Sequence, residues 1–141
     1  MKTNNNNIIE ASESDYLYTK LSQLPNSGNG LYTAIKIYKD EVIALYKGEI
    51  LNNVQAKIRS INGNDKYFIN LLDGTIMDSM HTDCFAKFAN DASAYSNSSF
   101  KNNAKIALDE DDNVCIIATR LIKTGEELFC SYGKRYWDKH S

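Results

Sequence analysis

Long apolar runs are missing from this chain. The longest, such as Val114-Cys115-Ile116-Ile117-Ala118, is a fraction of the roughly 20 residues that a membrane helix requires, so no spanning helix is expected. Cysteine is scarce too. Cys84, Cys115 and Cys130 stand far apart with no C-x-x-C pair, and only His81 lies near one of them, so a closed zinc site is not expected. The thiols read as reduced, small apolar packing residues of a cytoplasmic protein. An excess of one charge is also lacking: 16 Lys and Arg against 18 Asp and Glu leave a net charge of -2. Nothing there favours gripping a phosphate backbone, so nucleic acid is not the expected partner. Met1 to Asn7 has no apolar h-region and does not read as a Sec signal. Residues 1–14 are expected to be a flexible N-terminal segment and 15–141 a single domain, since 141 residues are too few for two ordinary ones. No internal repeat is found.

What the chain does contain is a succession of short segments rich in Ile, Val, Tyr, Phe and Leu, punctuated by Gly, Asn and Asp. That pattern predicts a mainly β protein. Strands are expected over 16–21, 30–34, 41–46, 48–51, 67–71, 75–78, 104–109, 113–119 and 127–130. Two hairpins stand out. One turns at Asp73-Gly74, a pair suited to positive φ, and the other at Asp109 to Asn113, whose clustered carboxylates belong in a solvated turn. Helix is scarcer. Asn52-Asn53 supplies caps for a helix over 54–61, with Val54, Ile58 and Ile61 spaced to seat it on the core. A last helical turn is expected over 132–139.

Gly28-Asn29-Gly30 alone reads as a tight turn between strands. It lacks the third glycine and following helix of a dinucleotide-binding loop. Further along come Tyr46-Lys47-Gly48-Glu49, then Asp73-Gly74-Thr75-Ile76-Met77-Asp78, then Lys87-Phe88-Ala89-Asn90-Asp91, then Asn103-Ala104. The series closes with Gly125-Glu126-Glu127-Leu128-Phe129-Cys130-Ser131-Tyr132-Gly133. In order and spacing these resemble the signatures of SET-domain lysine methyltransferases, from about Gly28 to Trp137. The departures are Lys87 where arginine is usual, Asp91 where histidine is frequent, and Ser131 where aspartate is frequent.

The resemblance implies a fold of small curved sheets with few short helices and a C-terminal pseudoknot, in which the closing motif threads under the loop after Asn90. It implies S-adenosyl-L-methionine as cofactor, held near Gly28, Asn29, Gly30, Leu31, Lys87, Phe88, Asn90, Asp91 and Tyr132, with Trp137 beside the adenine. It implies a lysine-containing protein or peptide as substrate, with Tyr67 and Cys130 lining its channel and Tyr132 orienting the amine. Histones are the family's best-known substrates, yet no basic run or reader segment points to chromatin. Cys130, small and without a phenolic hydroxyl, predicts room for more than one methyl. The alternative is a SET-like protein-binding module that has lost catalysis, with Asp91 and Ser131 as its marks.

Overall fold

A computed structural model describes residues 8–94 and 99–131. In chain order its elements are α1 (Glu13–Tyr16), β1 (Leu17–Leu21), β2 (Asn29–Thr33), β3 (Val42–Leu45), β4 (Glu49–Leu51), α2 (Asn53–Ile61), β5 (Phe68–Asn70) and β6 (Ile76–Asp78). Two 3-10 turns, Phe85–Phe88 and Ala92–Ala94, precede β7 (Ala104–Leu108), β8 (Val114–Ala118), β9 (Glu127–Leu128) and β10 (Cys130–Ser131). Each apolar segment between turn residues has become a strand, as expected, and the fold is mainly β. The proposed helical turn over 132–139 lies outside the described residues.

The strands form three small sheets, in the orders β1-β2-β9, β10-β7-β8-β3 and β4-β6-β5. The two expected hairpins are present. β5 and β6 pair antiparallel around Gly74, whose φ is +91°. β7 and β8 pair antiparallel around Asp109, whose Oδ1 accepts from the main-chain N–H groups of Asp111 and Asn113. Leu31, Ile37, Ile43, Ile116, Ile122 and Leu128 are completely buried and bring the first two sheets onto one core. At the outer edge of β3, Tyr16 donates its hydroxyl to Ile43 O at 2.7 Å and Leu45 N–H donates to Glu13 Oε2 at 2.9 Å. Ile8 bridges Val42 beside them. These contacts cover an edge that would otherwise invite another strand.

One local expectation is corrected. Asn52 caps α2 through a reciprocal box with Gln55, but Val54, Ile58 and Ile61 are 68%, 56% and 74% exposed and only Ala56 is buried. The helix is fixed by charge instead. Arg59 Nη1 pairs with Glu49 and with the fully buried Asp78, both at 2.8 Å, which turns the Ala56 and Arg59 side inward and the aliphatic side out.

The expected threading is visible in the closing strands. Cys130 N–H donates to Asn90 O at 2.8 Å on one side, while β10 pairs in parallel with Ala104 and Lys105 of β7 on the other. Asn90 and Asn103 are the two ends of one connection. The closing segment therefore runs between those two ends, an arrangement that ordinary unthreaded topologies avoid.

Candidate functional site

Asn103 braces the closing segment where it changes sheets, β9 pairing with β2 and β10 with β7. It is completely buried, its Nδ2 donating to Glu127 O at 3.0 Å and its Oδ1 accepting from Phe129 N–H at 2.9 Å. Phe129 thus bridges Asn90 where the segment passes from the sheet of β2 to that of β7. Its neighbours deliver Cys130 to Asn90, whose Nδ2 donates to Asn29 O at 3.2 Å. Asn90 accordingly joins the Gly28–Gly30 turn, through its side-chain amide, to the closing motif, through its main-chain carbonyl, so three segments far apart in sequence meet at one residue.

The two glycines of that turn do different work. Gly28 has φ +63°, and a Cβ placed there meets nothing within 4 Å, so its missing side chain leaves open space beside the exposed Asn29. A Cβ on Gly30 comes within 2.1 Å of Glu127 Oε2 and 3.2 Å of Ser22 Cβ. Gly28 leaves its main chain open on the side a Cβ would occupy; Gly30 makes room there for a carboxylate of the protein itself. Leu31, next in β2, is completely buried and its side chain serves the core.

Sequence reading missed the role of Glu127, the second acidic residue of the closing motif. It is 2% exposed and without a cationic partner among the bonds the structure shows. Its carboxylate accepts from Ser22 Oγ at 2.7 Å, from Gln23 N–H at 2.9 Å and from Tyr32 OH at 3.2 Å. Burial, and then the charge and hydrogen bond of Glu127, push the Tyr32 phenol up to about 12. The signal was in the sequence: a paired Glu at the start of an apolar strand leaves one facing inward. Nothing in the pattern named its partners in residues 22–32.

Lys87, Phe88 and Tyr67 form a second group. The Lys87 ammonium donates to Ser79 O, Met80 O and Thr82 O at 2.9, 3.3 and 3.1 Å, which employs all three of its donors. It also lies 5.3 Å from the Tyr67 ring centre and 5.5 Å from that of Phe88. Its charge pins the loop after β6. Asp91 holds its own loop, Oδ1 accepting from Ser93 N–H, Ser93 Oγ and Asn102 Nδ2. Cys130 is completely buried among core residues, and that burial pushes its thiol far above the usual range. Tyr132 and Trp137 lie outside the described residues, one of them directly after Ser131.

A SET-domain profile matches residues 28–133, the span from the first glycine turn to the end of the closing motif. The chain belongs to the SET-domain family. Among solved structures, this SET domain is similar to a humanised mutant of the Chaetomium thermophilum Polycomb Repressive Complex 2 bound to an inhibitor. That match has 24% identity and a TM-score of 0.70 over 84% of this chain and 15% of the other. A second match, ctPRC2 in an autoinhibited conformation bound to S-adenosylmethionine, has 25% identity and a TM-score of 0.69 over 85% of this chain and 15% of that one. The SET domain thus spans about 15% of the length of those chains. No curated protein matches it in sequence.

Proposed function

We propose that this SET domain is an S-adenosylmethionine-dependent protein-lysine N-methyltransferase. The observation that carries the reading is the Asn90 junction: its side chain reaches Asn29 O, and its carbonyl takes the Cys130 N–H two residues before Tyr132. The residues present fit the cofactor. Gly28 leaves a space that any side chain would fill, and Asn90 offers Oδ1 as an acceptor for an ammonium group. When bound, the cofactor supplies a sulfonium methyl whose transfer forms the lysine N–C bond and leaves the electron pair on sulfur.

The protein's own task is to present lysine as a neutral amine. Free lysine has a pKa near 10.4, so deprotonation at pH 7 costs about 4.6 kcal/mol. A narrow aromatic channel lowers that cost by desolvation, with Tyr67 and Tyr132 as its walls and the Tyr132 hydroxyl orienting the nitrogen. No carboxylate is assigned as a general base. Orientation and electrostatics carry the rate.

The test pairs calorimetry with methyl transfer to an acceptor protein identified by labelled cofactor. Cofactor binding with turnover that Tyr132→Phe reduces far more than it reduces affinity supports the enzyme. A chain that binds peptide but neither binds cofactor nor transfers methyl is the non-catalytic module that Ser131 and Asp91 suggest.

A further inference from the structure

We propose that a cavity of about 470 Å³ at the outer edge of β3 docks a peptide segment carrying a lysine or arginine flanked by aliphatic residues. Its volume falls within the roughly 300–1,000 Å³ of ligand clefts. The walls are Ile8 and Ile9, α1, β3 and the turn joining β7 to β8. The half-buried side chains of Ile9, Val42, Leu45, Leu108 and Ile117 give it an apolar floor. The sheet order β10-β7-β8-β3 puts it on the far edge from β10 and the Asn90 junction. An occupant there does not compete for the proposed methyl-transfer site, and the proposal does not rest on that site being active.

Charge decides the occupant. Glu13, Asp40, Asp109, Glu110 and Asp111 line the cavity, and among the described residues no Lys, Arg or His does. Asp109 is engaged in its own turn. Glu13 is only half engaged: Oε2 accepts from Leu45 N–H, while Oε1 is buried and has no hydrogen-bond partner among the described residues. A buried carboxylate oxygen without a donor is costly, and a donor arriving with a ligand removes that cost. The acidic field is felt nearby, since burial and then the charges of Glu13 and Glu41 push the Tyr16 phenol up to about 12. A bare metal ion does not fit, because no three His, Cys, Asp or Glu among the described residues are grouped to hold one. An aliphatic stem ending in a cation meets both demands, its methylenes on the floor and its donors at Glu13 Oε1.

The experiment titrates acetyl-Ala-Val-Arg-Ile-Ala-amide into the full chain at low salt and follows backbone amide shifts. Shifts are expected at Leu45 and over 108–111, with affinity weakened by roughly tenfold when citrulline replaces the arginine. Glu13→Gln keeps an acceptor for Leu45 N–H and should weaken binding to a similar extent. The exposed Asp40→Asn guards against misfolding of the first variant and should weaken binding about threefold. Shifts confined to other surfaces, or equal affinity for the citrulline peptide, overturn the proposal.

Discussion

Replacing Gly30 by alanine tests the link between the first glycine turn and the closing motif. The added Cβ would sit 2.1 Å from Glu127 Oε2 and 2.9 Å from Glu127 Cδ, so the carboxylate must move. It is buried and anchored, and moving it breaks its bonds to Ser22 Oγ and Gln23 N–H. Each bond to a charged acceptor contributes about 1.5–3 kcal/mol. Against this, alanine restricts the unfolded chain and returns about 0.4–1 kcal/mol. The net expectation is a loss of roughly 3 kcal/mol, or on the order of 10 °C in thermal midpoint for a domain of this size. Urea melts of Gly30→Ala, Glu127→Ala and the double variant measure it. The double variant should lose at least about 1 kcal/mol less than the sum of the singles, because removing the carboxylate removes the clash. A Gly30→Ala protein within about 0.5 kcal/mol of the parent, or strictly additive losses, refutes the reasoning.

Other outcomes follow from the same structure. The Tyr16 phenol is raised to about 12 by burial and the charges of Glu13 and Glu41, so the folded state holds that proton more tightly than the unfolded chain. The stabilisation is complete below about pH 10 and is lost as pH rises toward 12; melts across that window should show a shallower loss of stability for Tyr16→Phe than for wild type, the remainder coming from Tyr32, and equal slopes would contradict the reasoning. Cys84, Cys115 and Cys130 are all buried, and burial, with Asp109 nearby, pushes the Cys115 thiol to about 12. Ellman's reagent should find almost no thiol in minutes under native conditions and three after denaturation; fast native labelling would contradict this packing. Arg59→Ala should lower the thermal midpoint more than Glu49→Ala, because only the former strands the fully buried Asp78 without its counter-charge.

Strand positions were legible because period and punctuation are local. Asp73-Gly74 and the Asp109 cluster announced their hairpins, and Asn52 announced its helix. The inward face of α2 was not legible, since Val54, Ile58 and Ile61 have helical spacing whichever way the helix turns. What decides it is Arg59 meeting Asp78, a pair 19 residues apart that no local pattern relates. The same holds at the candidate site. Asn90 and the closing motif could be recognised as motifs, but the division of labour between Gly28 and Gly30 depends on Glu127, about a hundred residues away. The Lys87 ammonium likewise faces carbonyls of the preceding loop rather than open space, and only the folded path of residues 79–82 shows it.

The threading of residues 127–131 between Asn90 and Asn103 sets an order of assembly. Ser22, which braces the first glycine turn, bonds to a residue 105 positions later. During folding that brace is missing until the segment around Glu127 arrives. The hairpins are local and can form early. The Gly28 turn and the Asn90 junction therefore become fixed only together with the closing motif, and the folding rate is governed by those distant contacts.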